Sequence, residues 1–471
     1  MKSVKPAVFG VGLLLLALLA ACGPSPTPLS VTSPAATRDP FPALLALGDA
    51  HAEGRERTAA EAAYRQAASL RPDDPTPYLR LARLYRDWNR PQEGLDALAR
   101  AGERGADLGE VASLRAAFYA AQGDWERAVA EGEQALALRD DPATWHLLVR
   151  GYLQREREEE ARDACQALVE RDPADVQARE CLGFLLALTD PEAARPHLQA
   201  AATPFARAGL TALEEKDEVA RLARLGQAAL AHGEPALAVL ALRRAVAMNP
   251  NFADARALLG HALEEMGRLE GARVQLETAV RLAPDSPLAR SLLGLHFLNR
   301  GDPDAARPHL EAAYDRDPQN PAFALYLGLL YADLGQYAVA DIWLAEATRL
   351  APEDPHIWEA VARFYLDRFP GDARGVTAAR ALVRLAPDAA SAHALLGQAL
   401  LFAEDYAGAE EALCRTLELA PDLAVAHYDL GRLYALRGRR EAARAEFTRA
   451  LDLNTDPGLR EEIEEALGGN R

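Results

Sequence analysis

Glycine and proline recur in this sequence at one fixed step, and no other feature narrows its fold as far. Gly226, Gly260, Gly294 and Gly328 stand 34 residues apart, and Gly397 and Gly431 repeat the interval. Prolines keep the same step: Pro250, Pro284, Pro318, Pro352, Pro387 and Pro421 are separated by 34, 34, 34, 35 and 34 residues. Two unrelated residue types sharing one period mean a small supersecondary unit stacked many times, because a unit this short cannot bury its apolar face alone. Within a unit the apolar spacing is helical. Leu259 and Leu263 are four apart, as are Ala272 and Leu276, and Ala279 follows Leu276 by three, so each set shares one helix face. Residues 265–268 form the turn between two such helices, and Pro284 ends the second, where proline cannot continue the ladder. The unit is a pair of helices and the fold class is all-α.

The first forty residues are of a different kind. Lys2 and Lys5 precede an apolar stretch over 7–20, which at 1.5 Å per residue reaches ~21 Å, short of the ~30 Å a spanning helix must cross. That pattern reads as a secretory signal. Leu19-Ala20-Ala21-Cys22 resembles the bacterial lipobox. The resemblance implies cleavage before Cys22, a diacylglycerol on its thiol and an acylated new N-terminus; two or more acyl chains make a stable anchor where one is marginal. The alternative is an ordinary secretory signal with Cys22 incidental. Gly23 follows, not the aspartate that retains some lipoproteins at an inner membrane, so the expected location is the extracytoplasmic face of a bacterial cell membrane or outer membrane. Pro24, Pro26, Pro28, Pro34 and Pro40 then keep 23–40 extended, a tether of up to ~55 Å.

The order Leu-Gly, then an aromatic or leucine, then Ala, a large apolar residue, Ala and Pro resembles the tetratricopeptide repeat. In 321–354 Leu327, Gly328, Tyr331, Ala340, Leu344, Ala347 and Pro352 fill those slots, with Ala324 in place of the usual tryptophan; in the last copy Leu430, Gly431, Tyr434, Ala443, Phe447 and Ala450 do so, with Thr455 for the proline. Earlier copies are looser: Leu47, Gly48, Ala60, Tyr64, Ala67 and Pro72 open the series, Ala82 and Ala116 replace the glycine in the next two, and a copy near Trp145 keeps Leu148, Tyr152, Ala161 and Pro173. The copy from Pro355 carries one extra residue and a weak second helix around 371–382. The resemblance implies an α-solenoid, a right-handed superhelix of some twelve helix pairs. The expected divisions are a leader (1–21), an anchored tether (22–40), degenerate repeats (41–202), an irregular joint (203–218), regular repeats (219–457) and a segment (458–471) whose helix caps an open end.

Chemistry-bearing patterns are scarce. Lys plus Arg is 52 against 70 Asp plus Glu, a net charge of −18, the wrong sign for a nucleic-acid binder. The only lysines are Lys2, Lys5 and Lys216, which removes a phosphate loop of the Gly-Lys type. No cofactor, metal or catalytic residue is expected. His393 and His427 lie one repeat apart on first helices ~8–10 Å from each other, too far to share an ion that needs each nitrogen within ~2.1 Å, and arginine fills their slot at Arg256 and Arg290. Glu156, Glu158, Glu159 and Glu160 alternate with Arg155 and Arg157 and read as a solvated turn and helix face. Cys165 and Cys181 fall on helices that touch in the tetratricopeptide arrangement, so a disulfide is one reading; two thiols packed as small hydrophobes are the other.

In the family, first helices line the concave face and hold peptides or helices of other proteins. The corresponding positions are Leu288, Ser291 and Leu295, with Leu298 a turn on, then Ala322, Leu325 and Leu329, continued by the polar Arg363, Gln398, Tyr428 and Arg432. An apolar strip there suits the apolar face of a partner helix or peptide. The resemblance thus implies a non-enzymatic protein-binding scaffold of the cell envelope, serving assembly, secretion or export. The alternative is a subunit or accessory enzyme of envelope glycan processing. That requires paired carboxylates ~5–9.5 Å apart in a cleft, whereas the acidic residues here are scattered along helix faces.

Overall fold

The computed structural model describes residues 39–469; the leader, Cys22 and the tether as far as residue 38 lie outside the described residues. Five helix pairs come first: α1 (Phe41–Glu53) with α2 (Arg57–Leu70), α3 (Thr76–Asp87) with α4 (Pro91–Glu103), α5 (Leu108–Ala121) with α6 (Trp125–Leu138), α7 (Pro142–Gln154) with α8 (Glu158–Arg171), and α9 (Val176–Ala187) with α10 (Pro191–Ala201). A short single helix, α11 (Pro204–Ala212), occupies the joint. Seven further pairs follow: α12 (Glu218–Ala231) with α13 (Pro235–Met248), α14 (Ala253–Glu265) with α15 (Leu269–Leu282), α16 (Pro287–Asn299) with α17 (Pro303–Arg316), and α18 (Pro321–Asp333) with α19 (Tyr337–Leu350). The rest are α20 (Pro355–Arg368) with α21 (Ala373–Leu385), α22 (Ala390–Phe402) with α23 (Tyr406–Leu419), and α24 (Ala424–Leu436) with α25 (Arg440–Leu453), after which comes α26 (Pro457–Gly469). No strand occurs among the described residues. The chain is an all-α repeat solenoid.

The periodic residues have separate mechanical duties. A Cβ on Gly260 would lie 2.5 Å from Leu276 Cγ and 3.0 Å from the Ala272 carbonyl oxygen; only hydrogen fits where the two helices of a pair cross. Gly226 faces Leu242, Gly328 faces Leu344 and Gly431 faces Phe447 in the same way. A second glycine, two residues past the first helix, holds the hairpin turn at φ near +72° in Gly233, Gly267, Gly301 and Gly335, a left-handed conformation that side chains disfavour. Loop carbonyls are satisfied by a recurring side-chain donor: Arg256 and Arg290 reach Pro250 and Pro284 at 2.7 and 2.6 Å, Trp358 Nε1 reaches Pro352 at 2.8 Å, and His393 Nε2 reaches Pro387 at 2.8 Å. Arginine, tryptophan and histidine are interchangeable there because each can supply one N–H to an otherwise unpaired carbonyl.

The second helix of the copy starting at Pro355 is not weak: α21 runs thirteen residues. The extra residue is absorbed in the preceding turn, where Gly371 has φ +86° and a Cβ would stand 2.8 Å from the Phe402 carbonyl oxygen.

A second set of ties crosses from one repeat to the next. Tyr85 donates its hydroxyl to Glu61, Tyr152 to Glu133 and Tyr365 to Asp341, at 2.7, 3.0 and 2.8 Å. In each case an arginine from the following turn or the start of the next helix covers the tyrosine ring and pairs with the same carboxylate: Arg90, Arg157 and Arg374. Burial and the adjacent carboxylate push the Tyr85 and Tyr365 phenols up to about 12, so they stay donors at any ordinary pH. A planar guanidinium can stack on the ring and bind the carboxylate together, which favours arginine over lysine at these positions. Arg157→Lys is therefore expected to lower stability by about 1 kcal/mol in chemical denaturation, despite unchanged charge.

First helices touch their counterparts in adjacent repeats (α14 with α16, α18 with α20, α22 with α24), while second helices do not approach as closely. The array therefore curves with its first helices inside. Two features depart from a plain spiral. At the joint, α13 packs against α7, so that α13 is buried from Ala236 through Leu242 without interruption; a helix apolar on all sides is one covered on all sides. The acidic run is correspondingly not solvated throughout. Glu156 pairs with Arg243 at 3.0 Å and with Arg268, and Glu158 accepts from Arg244 at 2.8 Å. These cations come from beyond the joint, where local sequence gave no hint of them. The second departure is that the ends of the array meet. Trp88 Nε1 donates to the Leu451 carbonyl at 3.1 Å, and Arg460 on α26 donates to the Trp88 carbonyl at 3.0 Å. α26 buries Ile463 on the last pair and contacts the second pair as well, so it is wedged between the two ends and does not cap an open one.

Candidate functional site

The expected apolar strip divides on inspection. Leu298 is buried among Ala306, Leu310, Leu327 and Leu330, and Ser291 is buried with its hydroxyl donating to the Leu288 carbonyl at 3.1 Å. Neither presents a group to a ligand; both are corrected to core positions. Leu325 and Leu329 are half-buried against the core that includes Val361 and Phe364 of α20, and Leu288 against Ala257, Ala279 and Ala289. Leu295 and Ala322 are half-buried. The curvature brings neighbouring first helices so close that these side chains serve mainly as packing. Arg363 is exposed and pairs with Glu359 on its own helix at 2.8 Å.

Gln398, Tyr428 and Arg432 do come together, around a residue the sequence did not mark. Asp429 on α24 is only 2 % exposed; Gln398 donates to it at 2.7 Å and Arg432 lies 3.3 Å away. The Arg432 guanidinium lies over the Phe402 and Tyr428 rings, and burial, with Glu462 of α26 nearby, raises the Tyr428 phenol above its ordinary value. Burial raises the Asp429 carboxyl to about 6, against the opposing pull of Gln398 and Arg432. A charge held this deep costs stability, and such positions are concentrated where a surface has work to do.

The joint holds a concavity of its own. A cavity of about 430 Å³ is lined by His146, Arg150 and Gln154 of α7, Gln177 and Glu180 of α9, Phe205 of α11, and the turn and first residues of α13 from Gly233 to Leu237, with Trp125 at its edge. His146 Nε2 pairs with Asp175 at 2.8 Å, and Glu180 accepts from the Thr203 hydroxyl. Arg150 sits 5.7 Å from the Trp125 ring centre. Glu234 is held above the usual carboxylate range, first by the surrounding protein and then by Glu180. Cys165 and Cys181 form part of the floor and are joined as a disulfide, with Cα atoms 6.3 Å apart. Residues from α7 and α9 occupy the concave positions of their repeats; Phe205 of the short helix α11 and the turn and first residues of α13 wall them in. Periodicity could not find this site, because it exists only where the period fails.

These features define a class first: a curved helix-pair solenoid with a walled first-helix face. Sequence profiles described as tetratricopeptide repeat match residues 41–74, 229–295, 297–364, 373–424 and 396–457, together more than half of the chain. The chain belongs to the tetratricopeptide-repeat family, whose members generally bind other proteins and are generally not enzymes. No curated protein matches the sequence. Among solved structures it is similar to the APC/C hetero-tetramer Cut9–Hcn1 (14% identity over 91% of this chain and 96% of that one, TM-score 0.43) and to yeast Tom70 (16% identity, 91% and 95%, TM-score 0.43). Pseudomonas aeruginosa PilF is similar over 45% of this chain and 96% of its own, at 21% identity and TM-score 0.37.

Proposed function

We propose that the chain is a protein-binding scaffold that receives a segment of a partner polypeptide on its first-helix face, centred on the concavity at the joint. The observation that carries this reading is the enclosure of otherwise ordinary concave positions by α11 and α13, which creates an apolar floor with polar walls; sites of that character take side chains of a ligand. The second part of the proposal is location: a lipid on Cys22 holds the array at the extracytoplasmic face of a bacterial membrane, in envelope assembly, secretion or export. The lipobox resemblance and the proline-rich tether support it.

The two parts are tested separately. In affinity capture from detergent-solubilised membranes, Glu180→Arg with Glu234→Arg is expected to lose partners that the wild type retains; an unchanged set of partners would sink the site. Metabolic labelling with a clickable fatty acid is expected to mark the wild type and not Cys22→Ser. Label surviving the substitution would place the lipid elsewhere.

A further inference from the structure

The hairpin within a pair holds left-handed backbone at a glycine in seven pairs, at Gly123, Gly233, Gly267, Gly301, Gly335, Gly371 and Gly438, and at something else in four, at Arg55, Asn89, Glu156 and Glu404. A side chain there costs about 1–2 kcal/mol, less for asparagine, so its presence asks for a compensating contact. Three of the four supply one across the molecule. Glu156 binds Arg243 and Arg268 at the joint. Arg55 pairs with Asp422, and Asn89 Nδ2 donates to the Thr455 carbonyl at 2.9 Å; both join the first repeats to the last. The strained turns that face the ends of the array are thus spent on holding those ends together.

The chemistry of that junction differs from every interface between consecutive repeats. Repeat interfaces are built around fully buried alanines such as Ala257, Ala279 and Ala289, which meet between consecutive pairs. The junction is mostly polar: Arg55 and Arg449 both reach Asp422, Thr58 donates its amide and hydroxyl to Asp452 at 2.9 and 2.8 Å, and Arg460 lies over the Trp88 ring. Its apolar contribution is Leu451 against the core of the first repeats around Trp88. Arg57 Nη1 and Arg460 Nε are shielded there without a hydrogen-bond partner. Exposed ion pairs add little, salt screens them, and each unpaired buried donor subtracts. The junction is therefore held largely by polar contacts that salt weakens.

We propose that it is a reversible clasp. The array exists as a closed circuit and as an open spiral, and the exchange between them is governed by the ionic contacts of Arg55, Asp422 and Arg449 and by the Trp88–Arg460 stack. Opening changes the curvature of the whole first-helix face, because curvature in a solenoid is distributed over all its repeats. A partner that favours one curvature shifts the clasp, and release of the clasp shifts partner binding, by the same factor.

The test uses Arg55→Gly with Asn89→Gly in the mature chain. Glycine is what seven other hairpins carry, so the turns themselves relax while the Arg55–Asp422 pair and the Asn89–Thr455 hydrogen bond are lost. Small-angle X-ray scattering on the wild type is expected to give a compact particle at 50 mM NaCl and a longer maximum dimension at 1 M NaCl, and on the double variant the longer dimension at both. The Thr58 amide is expected to exchange with deuterium roughly tenfold faster in the variant, while amides of α14 to α19 keep wild-type rates. A wild type with one maximum dimension across the salt series, or a variant as compact as the wild type, would overturn the clasp.

Discussion

Gly260→Val is expected to be the most damaging single change in the regular half of the array. The new Cβ would stand 2.5 Å from Leu276 Cγ and 3.0 Å from the Ala272 carbonyl oxygen. The leucine can change rotamer, but the backbone cannot retreat without unpacking α14 from α15. Overpacking of this kind falls at the upper end of its usual range, about 3 kcal/mol, and in a solenoid it also removes the neighbours' shared interface. Gly267→Asn is the matched control. Its φ is +73° with open space around it, and Asn89 already occupies the equivalent slot at φ +50°, so a loss of under ~1 kcal/mol is expected. Thermal denaturation followed by circular dichroism separates the two. Equal losses would mean that the glycine of the first helix is not a packing requirement.

The second large effect is a gain. The buried Asp429 carboxyl has its pKa raised from 3.8 to about 6. For an acid whose folded value lies above its unfolded one, the folded state holds the extra proton between them, so stability is greatest below about pH 4, falls as pH rises through that window, and stays lower at pH 7. Two units correspond to about 3 kcal/mol, reduced in practice because Arg432 loses its partner when the charge is removed. Asp429→Asn keeps an acceptor for Gln398 and is expected to stabilise the protein by about 1–3 kcal/mol at pH 7, the advantage shrinking toward zero near pH 4. A variant less stable than wild type at pH 7 would show that Asp429 is a structural ion pair and not a strained polar group.

The regular repeats were legible because their steric requirements are periodic. Gly226 to Gly431 and the loop prolines each mark a place where one residue type fits, and α12 to α25 follow them closely. In the first half Gly48 and Gly183 keep that arrangement against Tyr64 and Leu198, but in the pairs between them the space is divided differently. Gly132 and Gly94 lie on second helices, and the vacated room is filled by Leu148 and Phe118 from following repeats, so the volume balance survives while the motif does not. Of the candidate binding positions, Gln398, Tyr428 and Arg432 converge, since spacing alone places them on one face. Leu298 and Ser291 do not, because spacing gives the face of a helix and not what the neighbouring repeat lays over it. The joint cavity and the meeting of the ends depend on contacts between residues such as Arg268 and Glu156 or Asn89 and Thr455, which no local pattern encodes. One trace did exist: Arg55, Asn89 and Glu156 stand where most hairpins place glycine.

Site-specific photo-crosslinking in membranes tests the account most directly. A benzophenone side chain at Gln177, on the walled first-helix face, is expected to capture a partner protein, and the same probe at Val274 or Ile342, exposed on the second helices, is not. Adducts formed from Val274 and Ile342 with none from Gln177 would put the binding surface on the outside of the array and contradict it.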